Sequence, residues 1–433
     1  MSKFPQLWQS TVSHWQATNR GSSALYGYPA GPLPHEADIV IVGGGMMGSA
    51  LSYFLTRGNG AGAGKRVVCI EAKDVASGAS GRNGGHVGPK TYALWHQLQQ
   101  GYPLGAGLSP EEAAWVMQNE RDNLDLVESL VEKEGLDVDF RRSELLETHH
   151  DLGRTKWCKE QYQAWLTLRR KMGLGDDQTR FVDDAPEAER LSRFRDVTSV
   201  HVRPGGSVHP HKLATALMRL ALDSPHANFS LHQWTPASGH PARDVPYSGA
   251  SALQNTYNTL DGHYLVRTGN GELVLGGGTA PLVRAGLTPM SLVHGNEDDS
   301  EASIDPAQTK DHATFMRHFI GWGKEAYGEG LVRTWVGVLS SVLDWLPLVG
   351  EVPNSPGLSF AGHGMSRIFA VARGYADTLK TGVWDAKLLP ECFQITEDRL
   401  ARAAEGHARW VREHGPDCKV VEGHIIGSAT AKL

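Results

Sequence analysis

The sequence predicts an α/β fold, and three features near the N-terminus lead to that prediction. A short apolar run over Ile39–Val42 has the composition of a buried strand and is followed at once by glycines. A helical pattern then extends from Met46 to about Arg57, and a second β-type run covers Arg66–Ile70. This order is typical of a βαβ unit, in which a helix joins two parallel strands and packs on their sheet.

The turn after the first strand has the pattern G-x-G-x-x-G, and its positions are Gly43, Gly44, Gly45, Met46, Met47 and Gly48. The first glycine permits a tight turn, the second lets the backbone approach a pyrophosphate, and the third lets helix and strand pack closely. Glu71 follows about 20 residues later, where a carboxylate can accept a hydrogen bond from a ribose hydroxyl. We interpret this unit as a dinucleotide site for NAD or FAD. A glycine-rich turn in another α/β sheet is the alternative.

Composition indicates a large folded protein and argues against several partners. The chain has 433 residues, of which 40% are hydrophobic and 21% charged, enough for two domains with buried cores. Its net charge of -6 offers no positive field for nucleic acid or an anionic membrane. We find no apolar run typical of a signal peptide or a membrane span. The four cysteines lie far apart, so we expect reduced thiols and an intracellular protein.

Local patterns predict the remaining elements. Residues 1–36, rich in glycine, proline and aromatic residues, predict an extended arm that packs onto the body. A helix is predicted from Ser109, where S-P-E-E supplies an N-cap and a capping box, and another over about residues 154–172. Strands are predicted over 199–202, 264–267 and 273–275.

Two further segments resemble parts of a known family. SGASGRNGGH, residues 77–86, and FAGHGMSRIF, residues 360–369, resemble flavin-contacting segments of the D-amino-acid-oxidase-like FAD-dependent oxidoreductases. SHWQ in the arm, GGSVHPHKL, LVLGGG and WVGVLSSVLDWLPLVG recur in the order of that family. Within it, the chain looks closest to fungal members similar to γ-glutamylputrescine oxidase.

The resemblance implies an FAD-binding Rossmann-like domain and a second, mainly antiparallel-sheet substrate domain. We expect the arm over 1–36, the FAD-binding domain over 37–90, 195–236 and 335–395, the substrate and helical domain over 91–194 and 245–334, and a C-terminal helix and tail over 396–433.

The resemblance also implies which residues contact FAD. The first segment would line the phosphates and the isoalloxazine ring, and the second would approach the ribityl chain and the pyrimidine. These residues are Ser80, Gly81, Arg82, Asn83, Gly84, Gly85 and His86, then Gly362, His363, Gly364 and Met365. Relatives with covalent flavin carry a cysteine where this chain has Gly337 and Val338, so we expect noncovalent FAD.

The activity implied is oxidation of the C–N bond of an amine or amino acid, with hydride transfer to flavin N5 and oxygen as acceptor. His86 is a candidate proton acceptor or attachment point, with a simple loop histidine as the alternative. Arg82 and Arg367 are weaker candidate catalytic residues, and Arg367 could pair with a substrate carboxylate. For both arginines a surface position is the alternative. Related oxidases have an oxygen-promoting lysine where this chain has Val274, which weakens the argument for oxygen.

One departure from the family favours a rival hypothesis. Relatives follow the strand and turn at 229–236 with a further strand pair and a V-x-A-T-N-like segment, whereas this chain has only residues 237–262 there. We therefore expect a sheet with fewer strands and FAD bound weakly or not at all. The rival is a catalytically impaired or shortened flavoprotein-like scaffold. A third reading, an NAD-dependent dehydrogenase, leaves both flavin-like segments unexplained.

The remaining motifs carry less information. Ala431-Lys432-Leu433 resembles the S-K-L address that the peroxisomal import receptor recognises, so we expect a peroxisomal or else a cytoplasmic protein. His209 and His211 form H-x-H before an apolar helix and predict a helix-entry turn rather than a metal site. We expect no metal.

Overall fold

The computed structural model describes residues 11–29, 31–102, 104–235, 237, 257–258, 263–268, 272–277, 282, 304–318, 332–337, 342, 344–362, 364–415, 419–421 and 424–426. Within these residues the helices are α1 His14–Asn19, α2 Met46–Thr56, α3 Tyr92–Leu98, α4 Pro110–Glu134, α5 Leu152–Met172, α6 Ala185–Ser192, α7 Pro210–Leu222, α8 Pro306–Phe315, α9 Ile368–Thr381 and α10 Glu397–His414. The strands are β1 Ile39–Val42, β2 Arg66–Ile70, β3 His86–Val87, β4 Arg141–His149, β5 Arg180–Val182, β6 Ser199–Ser207, β7 Asn228–His232, β8 Tyr257–Asn258, β9 Tyr264–Arg267, β10 Leu273–Gly276, β11 Leu348–Glu351, β12 Ser359–Gly362, β13 Lys419–Val421 and β14 His424–Ile426.

The predicted βαβ unit is confirmed. β1, β2 and β7 form a parallel sheet with β2 in the middle. On one face of this sheet, Ile41 and Val67 pack in a core with Met46 of α2, Leu213 of α7 and Phe369 of α9. This face therefore has the helical cover typical of a doubly wound sheet.

A second sheet of five strands is mainly antiparallel, as the resemblance implies. β6 pairs antiparallel with β3, β4 and β5, and β8 adds to β4 in parallel. Helices α3, α4 and α5 share a separate core, in which Trp95, Val116 and Trp165 are buried with Val371 of α9. Since α9 contributes to both cores, it connects the two parts of the structure.

β6 is longer than the sequence predicts. The pattern predicts a strand that ends at Val202, because proline and glycines follow, but the strand continues to Ser207. A Cβ on Gly205 would lie 2.2 Å from the side chain of Leu145 on β4. The glycine thus makes room for a neighbour across the sheet, and this packing extends the strand where local propensity would end it.

The predicted start of α4 is confirmed. Ser109 is the N-cap, Pro110 is the first helical residue, and Ser109 and Glu112 exchange both hydrogen bonds of a capping box. The helix ends at Gly135, which is left-handed with φ 60. The helix predicted over about 154–172 begins slightly earlier, because Asp151 caps it.

The N-terminal arm packs onto the body, as predicted, but it is not extended throughout, because Ser13 caps the helix α1. Trp15 of α1 is buried, and Arg20 forms an ion pair with Asp74 in the loop after β2. Residues 1–10 lie outside the described residues.

The remaining strands form antiparallel pairs, β9 with β10, β11 with β12 and β13 with β14. Of the segment 237–262, only residues 237 and 257–258 are among the described residues.

The thiols of Cys69, Cys158 and Cys392 are free, and Cys418 lies outside the described residues. Among the helices that the structure describes, none combines the length and the apolar character needed to cross a membrane.

Candidate functional site

The glycine turn has the geometry that a bound phosphate group requires. Gly43 has φ +105, a conformation that favours glycine. A Cβ on Gly48 would lie 1.9 Å from the carbonyl oxygen of Gly43, so only glycine lets α2 start this close to β1. α2 begins at Met46, directly after Gly45, which has no side chain to cover the helix N-terminus. The N–H groups and the dipole at that end suit a pyrophosphate.

Glu71 and Ser80 flank this turn. The N–H of Gly44 donates to Glu71 Oε2 at 2.6 Å, and the N–H of Lys73 donates to Oε1 at 2.8 Å. Burial raises the pKa of Glu71, and these backbone hydrogen bonds act in the opposite direction. A carboxylate has further lone pairs, so Glu71 can still accept from a ribose hydroxyl. Ser80 Oγ accepts from the N–H of Met46 at 2.7 Å, which brings the predicted flavin segment to the start of α2.

Arg82 is buried, so its alternative as a surface residue is wrong. Its guanidinium donates to Thr11 Oγ1 at 2.8 Å, to the carbonyl oxygen of Thr11 at 2.5 Å and to that of Val336 at 3.0 Å. Nε donates to the carbonyl oxygen of Ser77 at 3.0 Å. These bonds fix the loop 77–86 against the arm. A catalytic role for Arg82 stays a prediction.

The arm covers the same loop at further points. The hydroxyl of Ser13 donates to the carbonyl oxygen of Gly81 at 2.5 Å, and Trp15 Nε1 donates to that of Asn83 at 2.6 Å. Gly85 has φ +75, and a Cβ there would lie 3.1 Å from the Trp15 ring. The predicted flavin segment is therefore held in shape by residues from the beginning of the chain.

His86 is fully enclosed at the start of β3. Its ring meets the Tyr264 ring edge-on with centroids 5.7 Å apart, and Nε2 donates to the carbonyl oxygen of Leu265 at 3.4 Å. A Cβ on Gly84 would lie 2.8 Å from both rings, so glycine gives them room. Burial, helped by the charge of Arg203, lowers the pKa of His86 to about 3. The ring is neutral, and with the proton on Nε2 its lone pair is on Nδ1.

Glu120 of α4 connects the second predicted flavin segment to the chain that follows the first one. The N–H of Lys90, just beyond β3, donates to Glu120 Oε2 at 2.6 Å. From the other segment, the hydroxyl of Ser366 donates to Oε1 at 3.2 Å, and Arg367 Nη2 lies 3.0 Å from the same oxygen. Arg367 is 1% exposed, so its alternative as a surface arginine is wrong. Its role toward a substrate stays a prediction.

A group of buried charges continues from this junction into the antiparallel sheet. Arg203 donates to the carbonyl oxygen of Pro89, and its Nε lies 3.8 Å from Glu147 Oε2. Although burial alone would raise the pKa of Glu147, the hydrogen bond from His149 and the charge of Arg203 hold it below the usual range. Burial would lower the pKa of His149, but Cys158 and Glu147 raise it to about 9. Burial also lowers the pKa of the Lys90 ammonium.

Sequence reasoning missed Glu120, Glu147 and Arg203. For Glu120 a signal existed: it lies four residues after Val116 and four before Leu124, within the apolar stripe that predicts the buried face of α4. A carboxylate in such a stripe needs a buried partner. Glu147 on β4 and Arg203 on β6 gave no comparable signal, because polar residues that alternate along a strand are typical of solvent-facing positions.

The other predicted residues lie as follows. Gly362 ends β12, and His363 lies outside the described residues. Met365 is buried, and its carbonyl oxygen accepts from Asn123 Nδ2 at 3.1 Å. The predicted helix-entry turn is confirmed, because His209 Nδ1 caps α7 by accepting from the N–H of Lys212 at 3.1 Å.

Comparisons with known proteins agree with this geometry. Residues 38–229 match the family model DAO, described as FAD dependent oxidoreductase. A search of curated proteins found no match.

Solved structures share the fold. Glycine oxidase from Geobacillus kaustophilus is 20% identical with a TM-score of 0.56, over 84% of this chain and 99% of that one. L-amino acid deaminase from Proteus vulgaris is 17% identical with a TM-score of 0.59, over 85% and 99%. L-proline dehydrogenase from P. horikoshii is 16% identical with a TM-score of 0.60, over 84% and 97%.

The family model covers β1 to β7 and includes the glycine turn, Glu71 and the loop 77–86. These residues fit the adenosine and pyrophosphate of FAD through a glycine cradle, a helix N-terminus and a carboxylate. Residues 38–229 therefore match the family model of the FAD-dependent oxidoreductases, the chain shares the fold of these solved structures, and FAD is the cofactor that its glycine turn and Glu71 fit.

Proposed function

We propose that the protein oxidises the C–N bond of an amino acid or a related amine, with oxygen as the acceptor. The observation that carries this proposal is the junction at Glu120, where the second predicted flavin segment meets the chain that follows the first one, beside the buried guanidinium of Arg367. Arg367 contacts Glu120 directly, and Arg203 contacts the chain one residue before Lys90. The names of the structural neighbours, a glycine oxidase, an L-amino acid deaminase and an L-proline dehydrogenase, support the same substrate class.

FAD supplies the redox chemistry when it is bound, because its ring can accept a hydride from the carbon that bears nitrogen. The residues of this chain bind and orient the cofactor and the substrate. The glycine turn and the N-terminus of α2 suit the pyrophosphate, and Glu71 suits the ribose. The neutral ring of His86 has a lone pair on Nδ1 that can accept a hydrogen bond, and its pKa of about 3 makes it a weak base.

The charges around the junction favour a substrate with a carboxylate. Arg203 and Arg367 are cationic, and His149 adds a third cation because its pKa is raised to about 9. Among the described residues of this group, Glu120 and Glu147 supply two carboxylates. Within the described part of the chain, the buried Arg203 Nε has no hydrogen-bond partner, which costs free energy unless another acceptor reaches it. An anionic amino acid would supply such an acceptor, whereas a simple amine would not. γ-Glutamylputrescine, the substrate class that the resemblance suggests, also carries a carboxylate.

Oxygen is the acceptor we propose, with noncovalent FAD. Val274 takes the place of the lysine that promotes oxygen reaction in related oxidases, and it is buried in β10 beside Val266 and Trp15. Slow reoxidation by oxygen is therefore expected relative to an artificial acceptor. Denaturation should release the flavin into solution, whereas flavin that stays with the precipitated protein would contradict noncovalent binding.

The test is anaerobic reduction of the flavin in purified protein by a panel of amino acids, γ-glutamylputrescine and simple amines. We expect bleaching of the visible flavin bands by carboxylate-bearing substrates. Arg203→Gln should raise KM for those substrates at least about tenfold, since it removes a buried charge-assisted contact. Arg190→Gln, on the exposed ion pair of α6 with Glu187, is the matched control and should leave KM unchanged.

Two outcomes would contradict the proposal. If flavin-loaded protein is reduced by no member of the panel, the amine oxidation is wrong and the impaired scaffold is favoured. If simple amines reduce the flavin as well as amino acids do, the carboxylate preference is wrong.

We also propose a peroxisomal location through the import receptor, on the basis of Ala431-Lys432-Leu433, which lies outside the described residues. Removing Leu433 should disperse a fluorescently tagged protein into the cytosol. An intact protein that is already cytosolic would contradict this.

A further inference from the structure

Three potential metal ligands converge beside the β9–β10 hairpin. His263 immediately precedes β9, and Asp311 and His312 are neighbours on α8. One potential ligand atom from each of the three side chains lies within 4.8 Å of the other two. His263 Nε2 and Asp311 Oδ2 are already 2.5 Å apart. The sequence gives no hint of this group, because 48 residues separate its first two members.

The surroundings hold these side chains in place. His263 is 4% exposed, and its ring stacks on Phe315 of the same helix α8 with centroids 4.2 Å apart. His312 Nε2 donates to the carbonyl oxygen of Gly277, at the end of β10, at 2.8 Å. An imidazole whose second nitrogen donates to a backbone carbonyl is oriented as metal-binding histidines generally are.

The protonation states also suit a cation. Because the partner of His312 Nε2 is a carbonyl oxygen, that nitrogen carries the proton and Nδ1 has the lone pair. A metal ion binds histidine through such a lone pair.

We propose that His263, Asp311 and His312 form a binding site for a divalent cation, with Zn²⁺ as the best match. Two imidazole nitrogens and one carboxylate oxygen are a ligand set that zinc uses, and a water molecule would complete a tetrahedral site. Ligand bonds of about 2.0–2.2 Å place neighbouring ligand atoms roughly 3.3–3.5 Å apart in that geometry. The contact between His263 and Asp311 would therefore open by about 1 Å, and the ion would replace it.

The expected role is structural. The ion would connect α8 to the hairpin β9–β10, whose first residue, Tyr264, packs against His86. Zinc should thus stabilise the part of the antiparallel region that borders the candidate active site. This inference does not depend on the proposed oxidation, because its test measures metal and stability.

The experiment is equilibrium dialysis of the full-length protein against Zn²⁺ after treatment with a chelator, together with thermal unfolding. We expect close to one zinc ion per chain and a rise in Tm with free zinc, because a ligand that binds the native state stabilises it. His312→Ala and Asp311→Asn should each weaken zinc binding by more than about tenfold, since even the loss of a supporting contact has such an effect.

His407→Ala is the control, because His407 is an exposed histidine on α10. It should leave the zinc stoichiometry and the zinc-dependent rise in Tm unchanged. Circular dichroism of each variant shows whether it is folded, and Asp311→Asn keeps the size of the side chain if His312→Ala does not fold. Zinc binding that is absent from the parent protein, or equal in the parent and in Asp311→Asn, would overturn the proposal.

Discussion

The two faces of the parallel sheet differ in what covers them. On one face, Ile41 is 7% exposed and Val67 is fully buried, beneath helices α2, α7 and α9. On the other face of the same strand, Val40 is 54% exposed and Val42 is 69% exposed. Parallel sheets are normally covered on both faces. The βαβ unit is therefore complete on its helical face and open along β1 on the other.

β1 also lies at an edge of its sheet. Among the residues that the structure describes, β1 pairs only with β2. The resemblance implies that relatives have additional strands after 229–236, and the open valines and the open edge of β1 are where such strands could add. The missing segment at 237–262 and its consequence for FAD affinity stay predictions.

The largest expected effect tests whether the covered face alone can hold the cofactor. Gly45→Val should abolish FAD binding, because a Cβ at this position would already lie 2.9 Å from Ser80 Oγ and a branched side chain would fill the space for the pyrophosphate. The measurement is the flavin absorbance retained per folded chain after dialysis. Gly101→Val is the control, because a Cβ there meets nothing within 4 Å. If the parent and Gly45→Val both lack flavin, the open face already prevents binding. Normal occupancy in Gly45→Val would contradict the site.

The second prediction concerns the covered face. Ile41→Ala should lower the free energy of unfolding by roughly 2–5 kcal/mol, because it removes buried methyl and methylene groups from the core beneath α2. Urea unfolding followed by circular dichroism measures this loss. A loss below about 1 kcal/mol would show that the helical face is less well packed than the structure indicates.

The third prediction tests the open face directly. Inserting a family-like strand pair between Pro236 and His263 should raise FAD occupancy and Tm together, because it would cover Val40 and Val42 and pair the free edge of β1. A flexible glycine–serine insert of equal length is the control and should raise neither. Stoichiometric FAD that survives dialysis in the parent protein, with ordinary amine oxidation, would show that the open face is harmless.

The smallest expected effect is at Val42. Val42→Thr should change the free energy of unfolding by no more than about 0.5 kcal/mol, because the side chain is mostly exposed and threonine keeps its branched shape. The same urea unfolding that measures Ile41→Ala provides the comparison between adjacent residues of one strand. A loss as large as that of Ile41→Ala would mean that the second face is covered after all.

Local patterns were enough to predict the parts of the structure that local forces determine. The glycine turn, the start of α4 at Ser109 and the helix entry at His209 each depend on residues within a few positions of one another. The length of β6 could not be predicted in this way, because Gly205 is placed in the strand by Leu145 across the sheet.

The sequence by itself determined the βαβ unit, the position of the dinucleotide site and, through its resemblance, the cofactor. Only the tertiary structure decided that Glu120 contacts both Lys90 and Arg367, that Arg82 is bound by the arm, and that the two faces of β1 differ. There are two physical reasons. Ile39–Val42 consists entirely of β-branched apolar residues, so its sequence cannot show which face is covered. The charged residues of α4, β6 and α9 are far apart along the chain, so they leave no periodic signal.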